Sequence, residues 1–390
     1  MNLAETFQAI FGEGSAIQYF FAPGRVNLIG EHIDYNGGHV FPCALDVGTY
    51  AAARKRTDRT LRLYSTNFQS LGVVEVNMDR LTFDSNHDWA NYPKGVAATL
   101  IESGYSLENG ADVVFYGNIP NGAGLSSSAS IELTTCVLLR DFNELELSMT
   151  ELVKIAQRAE NEFVGVNCGI MDQFAIGMGK QDHALLLDCQ TLEYQYSPIH
   201  LEDEVLVIAN TNKQRGLADS AYNTRREECE RALVELQQHI DIASLGDLSS
   251  EEFERLSPHI KQEADRKRAR HAVYENLRTI EAVNKLKAGD IKGFGNLMNA
   301  SHLSLRNDYE VTGKELDALV EASWEEGALG ARMTGAGFGG CTISIVKKND
   351  IERYMKAVGR KYFNQTGLHA DFYVVNVSDG AKKLTEGVTI

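Results

Sequence analysis

Polar side chains are concentrated in one short, glycine-bracketed stretch near the start of the chain. From Ala22 to His39 it reads A-P-G-R-V-N-L-I-G-E-H-I-D-Y-N-G-G-H. Carboxylates and histidines at this density suit recognition of several hydroxyl groups, as on a sugar. Two other interpretations stay open at this point. One is a polar loop built on Asp and Asn turns, and the other is a metal site formed by Glu31, His32, Asp34 and His39.

A second stretch, from Gly117 to Leu133, is rich in glycine and serine. A predicted strand runs into the turn N-G-A-G-L-S-S-S, and a predicted helix follows over 126–141. This order points backbone N–H groups and the positive end of the helix at an anion. The turn is not a Walker A loop, and the H-R-D and D-F-G strings of protein kinases are absent. We predict phosphate binding here, rather than a plain helix N-cap.

Two carboxylates follow in a third stretch, A-E-N-E-F-V-G-V-N-C-G-I-M-D-Q-F. Glu160 lies on the edge of the apolar stripe of a helix predicted over 148–165, where an unpaired carboxylate is costly unless it meets a cation. Mg²⁺ fits that environment because it takes few carboxylates together with phosphate oxygens. Asp172 lies in a mostly apolar segment and is either a helix cap or a catalytic base; the sequence alone favours the cap.

The remaining candidates give weaker signals. Gly335, Gly337 and Gly340 satisfy G-x-G-x-x-G, but a strand follows where a dinucleotide-binding motif needs a helix. A glycine-rich loop leaning over phosphates, or a tight strand entry, fits better. Trp89, near a predicted helix start, is read as core packing, and Tyr222, early in a helical run, as an ordinary surface tyrosine.

The elements that must position these residues are strands and helices without regular alternation. Strands are predicted within 40–67 and at 111–117, 183–188, 205–209, 341–346 and 371–377. A helix begins at Ser148, where Ser148 and Glu151 have the spacing of a capping box, the region 217–325 is mainly helical, and a last helix lies near 349–364. This mixture predicts an α+β fold. The shift from strands to helices near 195–215 predicts two domains, 1–200 and 201–390.

Composition narrows the class of protein. The 390 residues carry 38 Lys and Arg against 54 Asp and Glu, a net charge of −16. So acidic a surface repels phosphate backbones and anionic lipid, which argues against a general nucleic-acid or membrane binder. Six scattered cysteines without a C-x-x-C pair are typical of reduced thiols. With no visible signal peptide or apolar span, the expected location is the cytoplasm.

Taken together, the motifs resemble those of the GHMP kinases, the family of galactose, homoserine, mevalonate and phosphomevalonate kinases. All three family motifs occur in the expected order, and the resemblance runs from Phe21 to about Val377. The string P-G-R-V-N-L-I-G-E-H-I-D-Y-N-G-G resembles the galactokinase signature in particular. Ile33, in place of the commoner threonine, and Asn121 are mild departures from the pattern.

The resemblance implies transfer of phosphate from ATP to the C1 hydroxyl of α-D-galactose, the entry step of the Leloir pathway. Asp172 would be the base and Arg25 would orient it and stabilise charge on the phosphoryl group. The residues that the resemblance implies for sugar binding are Glu31, His32, Ile33, Asp34, Gly169 and Tyr222. Those implied for ATP are Ser65, Trp89, Gly122, Ala123, Gly124, Leu125, Ser126, Ser127 and Ser128, with Asn67 as an alternative to Ser65. Those implied for Mg²⁺ are Ser128 and Glu160.

The same resemblance implies an N-terminal domain like the second domain of ribosomal protein S5. It also implies a ferredoxin-like C-terminal domain with helical insertions and a site between the two. A monomer is expected, with an oligomer left open. Two other functions compete: kinase activity on another sugar such as N-acetylgalactosamine, and a non-catalytic galactose sensor. The sensor is disfavoured because the G-L-S-S-S-A-S loop, Arg25 and Asp172 are all intact.

Overall fold

The computed structural model describes residues 2–120, 124–213 and 218–385, without the side chains of 218–220. Its strands, in chain order, are β1 (Gln18–Asn27), β2 (His39–Val40), β3 (Pro42–Lys55), β4 (Thr60–Ser65), β5 (Val74–Asn77), β6 (Ala111–Gly117), β7 (His183–Asp188), β8 (Tyr194–Pro198), β9 (Glu204–Asn210), β10 (Gly330–Thr334), β11 (Cys341–Lys347), β12 (Asp371–Val375) and β13 (Lys382–Leu384). Its α-helices are α1 (Leu3–Phe11), α2 (Asn91–Glu102), α3 (Ser127–Phe142), α4 (Met149–Arg158), α5 (Met171–Met178), α6 (Ala218–Leu236), α7 (Ser250–Leu256), α8 (Glu263–Lys287), α9 (Ile291–Ser304), α10 (Gly313–Glu325) and α11 (Ile351–Thr366).

The largest sheet within the described residues carries the first motif. Its strand order is β13-β1-β3-β6-β4-β5, and every pairing is antiparallel except that of β4 with β6. Helix α3 packs on β1 and β3, so the Gly/Ser turn that precedes α3 lies beside the end of β1. A second sheet, β2-β7-β8, continues from the loop that follows β1.

The third sheet has the order β10-β11-β9-β12 and is wholly antiparallel. Strands β9 and β11 alternate buried side chains between two apolar clusters. Val207 and Ala209 face a cluster with α10 and α11, whereas Leu206 and Ile208 face one shared with β3 and α8. This second cluster joins the two larger sheets through apolar contact.

The α+β class expected from the sequence is confirmed, and so are most individual elements. The strand predicted over 111–117 is β6, and the capping box of α4 is formed by Ser148 and Glu151. The helix predicted over 148–165 differs: α4 ends at Arg158, and a π-helical turn, Ala159–Val164, carries the chain onward. Strands β1, β5, β8, β10 and β13 were not predicted.

Two further expectations concern the whole chain. All six cysteines lie within the described residues and none of them forms a disulfide, as their scattered spacing indicates. Among the helices of the described residues, none is both long and apolar enough to cross a membrane.

Candidate active site

An arginine and an aspartate that lie far apart in sequence form a bidentate ion pair. Arg25 on β1 donates from Nε to Asp172 Oδ1 at 2.8 Å and from Nη2 to Asp172 Oδ2 at 2.9 Å. Such a fork-to-fork pair fixes orientation as well as charge. Asp172 lies in the first turn of α5, but the N-cap of that helix is Ile170. The cap role that the sequence favoured for Asp172 is therefore wrong.

The Gly/Ser turn is tied to the same ion pair. Ser126 Oγ donates to Asp172 Oδ2 at 2.5 Å, and Arg25 Nη1 donates to the carbonyl oxygen of Gly124 at 2.7 Å. A Cβ on Gly24 would lie 2.8 Å from the carbonyl oxygen of Leu125, so only glycine permits this close approach. The turn and the ion pair thus form one connected unit.

The start of α3 presents serines to a cavity. Ser126 has a left-handed φ of 61°, and α3 begins at the next residue. Ser127 and Ser128 line a cavity of about 220 Å³, while the Leu125 side chain is buried in the apolar core. Gly122 and Ala123 lie outside the described residues.

The larger of the two cavities beside this unit has a volume of about 340 Å³. Most of the residues expected to bind the sugar line it together with the ion pair: Arg25, Glu31, His32, Asp34, Gly169, Asp172 and Tyr222. Ile33 does not line it, because its side chain is fully buried in the core. Tyr222, read from the sequence as an ordinary surface tyrosine, is instead a wall of this cavity.

Glu31 is buried and held by the third glycine-rich motif. Its Oε1 accepts hydrogen bonds from the N–H of Gly335 at 2.8 Å and from Thr334 Oγ1 at 3.0 Å, and Arg332 Nη1 lies 3.4 Å away. The signal for this loop in the sequence is weak. A strand rather than a helix follows the loop because it connects the antiparallel neighbours β10 and β11.

Asp34 stands in an unusual electrostatic environment. Burial and the nearby carboxylates of Asp172 and Glu31 raise its pKa to about 7. The backbone of Gly169 lies against this carboxylate: a Cβ there would meet Asp34 Oδ2 at 2.0 Å. Burial alone would lower the pKa of Arg25, but the three carboxylates outweigh it and raise that pKa above its ordinary value. Glu160 also lines the cavity, so its described lining holds one guanidinium among four acids.

Glu160 is buried next to Ser128, in a cluster that the sequence did not fully identify. Burial raises the pKa of Glu160, and a hydrogen bond from Ser128 opposes the rise. Gln173 Nε2 donates to Glu160 Oε2 at 2.6 Å and to Glu132 Oε2 at 3.2 Å. The other oxygen of Glu132 is buried without a hydrogen-bond partner. Hydroxyl and carboxylate oxygens of this kind fit a hard cation such as Mg²⁺.

The smaller cavity has an aromatic wall. Trp89 stands against Phe115 with ring centroids 5.7 Å apart, and both line the cavity with Ser65, Asn67 and the start of α3. Trp89 Nε1 is buried without a partner. Core packing, as interpreted from the sequence, is therefore only part of the role of Trp89. Its ring also forms a wall that a flat aromatic base can contact.

The metal site considered for the first motif does not form. His39 Nδ1 lies 3.0 Å from Asn276 Oδ1. Within residues 2–120, 124–213 and 218–385, no three His, Cys, Asp or Glu side chains are grouped to hold a metal ion. Residues that the sequence did not point to line the larger cavity, among them Asn223 and Ala336. They come from α6 and from the glycine loop, where only tertiary packing could reveal them.

Family models and relatives agree with this geometry. The galactokinase galactose-binding signature matches residues 5–55, and the N-terminal and C-terminal GHMP kinase models match 91–180 and 280–365. Fold and site together define a GHMP kinase. The chain is 57% identical to the galactokinase of Fusobacterium nucleatum, over 98% of this chain and 99% of that protein, and 56% identical to that of Bacillus subtilis, over 98% of each. It belongs to the galactokinase family.

Solved structures extend the comparison to the fold. The galactokinase of Lactococcus lactis, solved in complex with galactose, matches with a TM-score of 0.96 and 48% identity, over 98% of this chain and 99% of that chain. The mevalonate kinase of Methanococcus jannaschii matches with a TM-score of 0.68 at 19% identity, over 94% of this chain and 99% of that one. The second match shows the shared fold alone.

Proposed function

We propose that this chain transfers the γ-phosphoryl group of ATP to the C1 hydroxyl of α-D-galactose. The C1 oxygen bonds to the γ-phosphorus, the bond from that phosphorus to the bridging oxygen breaks, and the products are galactose 1-phosphate and ADP. The observation that carries the proposal is the Arg25–Asp172 pair at a cavity wall, with Ser126 of the Gly/Ser turn on the same carboxylate. This geometry supports a sugar hydroxyl and a nucleotide phosphate meeting at one acid.

In this reaction Asp172 accepts the proton of the C1 hydroxyl. Its two oxygens receive three hydrogen bonds from Arg25 and Ser126, which leaves lone-pair capacity for one more, since a carboxylate accepts about four. Arg25 keeps its charge because its pKa is raised. Its guanidinium orients the base and offsets negative charge that develops during transfer.

Galactose is proposed to occupy the larger cavity. Carboxylates on one wall, Glu31 and Asp34, suit the several hydroxyls of a hexose, and the Tyr222 ring gives an apolar face. Gly169 leaves the space that Asp34 needs. His32 lines the same cavity, and Ile33 is proposed to contribute only through its backbone, since its side chain is buried in the core.

ATP is proposed to bind along the smaller cavity, with its base near Trp89 and Ser65. Its phosphates would lie at the turn that includes Gly122, Ala123, Gly124, Leu125, Ser126, Ser127 and Ser128. Ser128 and Glu160 would hold Mg²⁺, as their hard oxygen donors fit it. When bound, the ion supplies charge neutralisation of the phosphates. The chain's own part is to keep Glu160 buried and oriented through Gln173.

We also propose a division into domains, an oligomeric state and a location. The chain divides near residue 200 into two domains, 1–200 and 201–390, although β13 returns to the first sheet. It acts as a monomer. Its location is the cytoplasm. Among the competing functions, a non-catalytic sensor is not favoured, because Arg25 and Ser126 both contact Asp172.

Replacement of Asp172 by asparagine tests the reaction. Asp172→Asn keeps the side-chain shape but loses the base, so we expect kcat for galactose to fall at least about a hundredfold, with galactose still bound. Coupled assays with ATP and galactose, glucose, N-acetylgalactosamine or mevalonate measure the turnover and the choice of substrate. The matched control is Asp182→Asn, at an exposed turn. Near-normal turnover in Asp172→Asn would remove Asp172 from the mechanism, and preference for another sugar would revise the substrate.

A further inference from the structure

His32 lines the sugar cavity, but both of its ring nitrogens are already engaged. Nε2 lies 3.1 Å from the carbonyl oxygen of Ala336, in the glycine-rich loop before β11. Nδ1 lies 2.8 Å from the hydroxyl of Tyr35. The ring therefore joins the first motif to the third, across the wall of the cavity. A sugar hydroxyl could reach a ring nitrogen only by displacing one of these two partners.

The carbonyl oxygen of Ala336 fixes where the proton on the ring lies. A carbonyl oxygen only accepts, so Nε2 must carry the hydrogen. Burial lowers the pKa of His32 to about 3, so the ring is neutral and Nδ1 has none. Nδ1 then accepts from the Tyr35 hydroxyl. This assignment determines the direction of the next two hydrogen bonds, between Tyr35 and Tyr309 and between Tyr309 and Cys229.

The chain of hydrogen bonds continues inward from Tyr35. The hydroxyls of Tyr35 and Tyr309 are 2.8 Å apart, and the Tyr35 proton is already used on His32, so Tyr309 must donate. Tyr309 Oη is 3.2 Å from Cys229 Sγ; with its own proton used, it must accept from the thiol. Burial raises the pKa of Cys229 to about 11, which keeps that S–H in place.

The inner end of the chain returns to the first motif. Asn36 Nδ2 donates to Cys229 Sγ at 3.6 Å and to the carbonyl oxygen of His32 at 2.7 Å. The side chains of Tyr309 and Cys229 are almost fully buried, so water cannot readily replace a lost partner. The hydrogen bonds therefore form a closed loop, which starts at the ring of His32 and returns to the backbone carbonyl of the same residue. Its φ of 62° is unfavourable for a residue with a side chain, so something must hold it there.

We propose that Tyr35, Tyr309 and Cys229 form a one-directional hydrogen-bond chain that positions His32 against the Ala336 carbonyl and so sets the width of the sugar cavity. They are positioning residues, since they act through His32 rather than on the reacting atoms. The cavity role rests on the proposed function, whereas the hydrogen-bond direction does not. Glu31 and Asp34 of the first motif line the cavity together with Gly335 and Ala336 of the third. His32 is a second side-chain bridge between these two motifs, next to the hydrogen bond from the N–H of Gly335 to Glu31.

The direction of the chain is tested by ¹⁵N NMR of the free protein with labelled histidine, with His32→Gln used to assign the His32 signals. We expect a hydrogen on Nε2 and none on Nδ1. In Tyr35→Phe, the Nδ1 resonance should move downfield toward a nitrogen without a hydrogen bond, while Nε2 keeps its hydrogen. A hydrogen on Nδ1, or an unchanged Nδ1 resonance in Tyr35→Phe, would overturn the proposal.

The effect on the cavity is tested by steady-state kinetics of Tyr35→Phe and Tyr309→Phe. Loss of one buried neutral hydrogen bond corresponds to roughly a fivefold change, which we expect in KM for galactose, with a smaller change in kcat and none in KM for ATP. The control is Tyr354→Phe, which removes an equally buried hydroxyl bonded to Ser323 at 2.8 Å in another apolar cluster. Equal changes in all three variants, or equal changes in KM for galactose and KM for ATP, would show that the network contributes only to the stability of the fold.

Cys229 supplies a rescue test that does not depend on a tyrosine variant folding. Cys229→Ser keeps a proton donor for Tyr309, so its KM for galactose should stay close to that of the parent protein. Cys229→Ala removes the donor and should raise KM for galactose. Identical KM values for the two variants would contradict the chain. If the parent protein did not phosphorylate galactose at all, the proposed function would fail while the NMR result would still decide the hydrogen-bond direction.

Discussion

At the scale of single residues, the sugar cavity places more acids together than its one guanidinium can neutralise. Arg25 forms an ion pair with Asp172. Glu31 and Asp34 both raise the pKa of Arg25, and Glu31 also raises that of Asp34. Glu31 has three donors of its own around Oε1. Burial and the carboxylates of Asp172 and Glu31 raise the pKa of Asp34, and backbone hydrogen bonds oppose that rise only in part. The cavity is therefore electrostatically strained before a ligand enters, as is common at functional sites.

That strain predicts how stability depends on pH. The pKa of Asp34 is about 7 in the folded protein, against an ordinary value of 3.8. Between these values the folded chain holds the proton and the unfolded chain does not, so raising the pH favours unfolding. We expect Asp34→Asn to be more stable than the parent protein at pH 8, by on the order of 1 kcal/mol, and no more stable at pH 4.

Chemical denaturation at both pH values, without ligands, makes this measurement. Asp182→Asn, at an exposed turn, is a suitable control because its carboxylate is already in water. Equal stability of Asp34→Asn and the parent protein at pH 8 would mean that Asp34 is ionised at no cost. The same variant should bind galactose more weakly, because an amide has one acceptor oxygen where a carboxylate has two.

Glu160 provides a second prediction for a single side chain. Glu160→Gln keeps the shape but loses the charge proposed to hold Mg²⁺, so kcat/KM should fall by about a hundredfold or more, as several kcal/mol of metal-mediated stabilisation is lost. The apparent affinity for Mn²⁺, measured by its paramagnetic resonance with an ATP analogue, should fall as well. Glu162→Gln, on the same π-helical turn and paired with Arg158 at the surface, should leave both values unchanged. Unaltered Mn²⁺ affinity in Glu160→Gln would place the ion elsewhere.

The residues of the site could be predicted from sequence only where a short string carries the signal. The Gly/Ser turn and the first motif are continuous strings, and the structure brings both to one place. Asp172 was misread as a cap because its partner, Arg25, is 147 residues away. Tyr222 and Ala336 were underrated for the same reason. Their role depends on which surfaces meet, and no local pattern encodes that meeting.

At the scale of secondary structure, local rules predict elements whose stabilising partners are near in sequence. Helix α4 is an example, since Ser148 and Glu151 form both halves of its capping box. Strand β6 is another, because its apolar run is bounded by glycine at each end. By contrast, β1 was missed because it passes through Pro23 and Gly24 with a change of register, and β13 because only its pairing with β1 makes it a strand.

The capping box of α4 gives a direct test at this scale. Ser148→Ala removes the acceptor for the N–H of Glu151 and one of the two partners of its carboxylate. We expect a loss of about 1 kcal/mol in the free energy of unfolding, with activity unchanged in the folded protein. Thr150→Ala, at the second residue of α4, is the control. It should lower the free energy of unfolding by less. A negligible loss in Ser148→Ala, by urea titration, would show that the packing of the apolar face of α4 is sufficient alone.

At the scale of the whole molecule, polar groups buried between distant segments tie the two ends of the chain together. The N–H of Gly30 donates to Glu275 Oε1 on α8 at 3.1 Å, and His271 Nε2 lies 3.0 Å from the carbonyl oxygen of Glu31. The Glu31 side chain takes its partners from β10 and the loop after it. Each of these groups would lose its partner if the later part of the chain were missing, and any that stayed buried would destabilise the fold, a carboxylate above all.

This dependence predicts that residues 1–200 do not fold alone. The fragment lacks every partner of the Glu31 carboxylate and also β13, so the outer edge of β1 is open. We expect poorly dispersed amide NMR signals from the fragment, and recovery of native-like dispersion when 201–390 is co-expressed. A fragment that carries 376–385 on a flexible linker separates the two causes, since it restores the edge strand without the Glu31 partners. It should remain poorly folded, because the buried carboxylate still lacks donors. A well-dispersed spectrum from 1–200 alone would show instead that the first sheet and its helices bury enough apolar surface to leave the carboxylate in water.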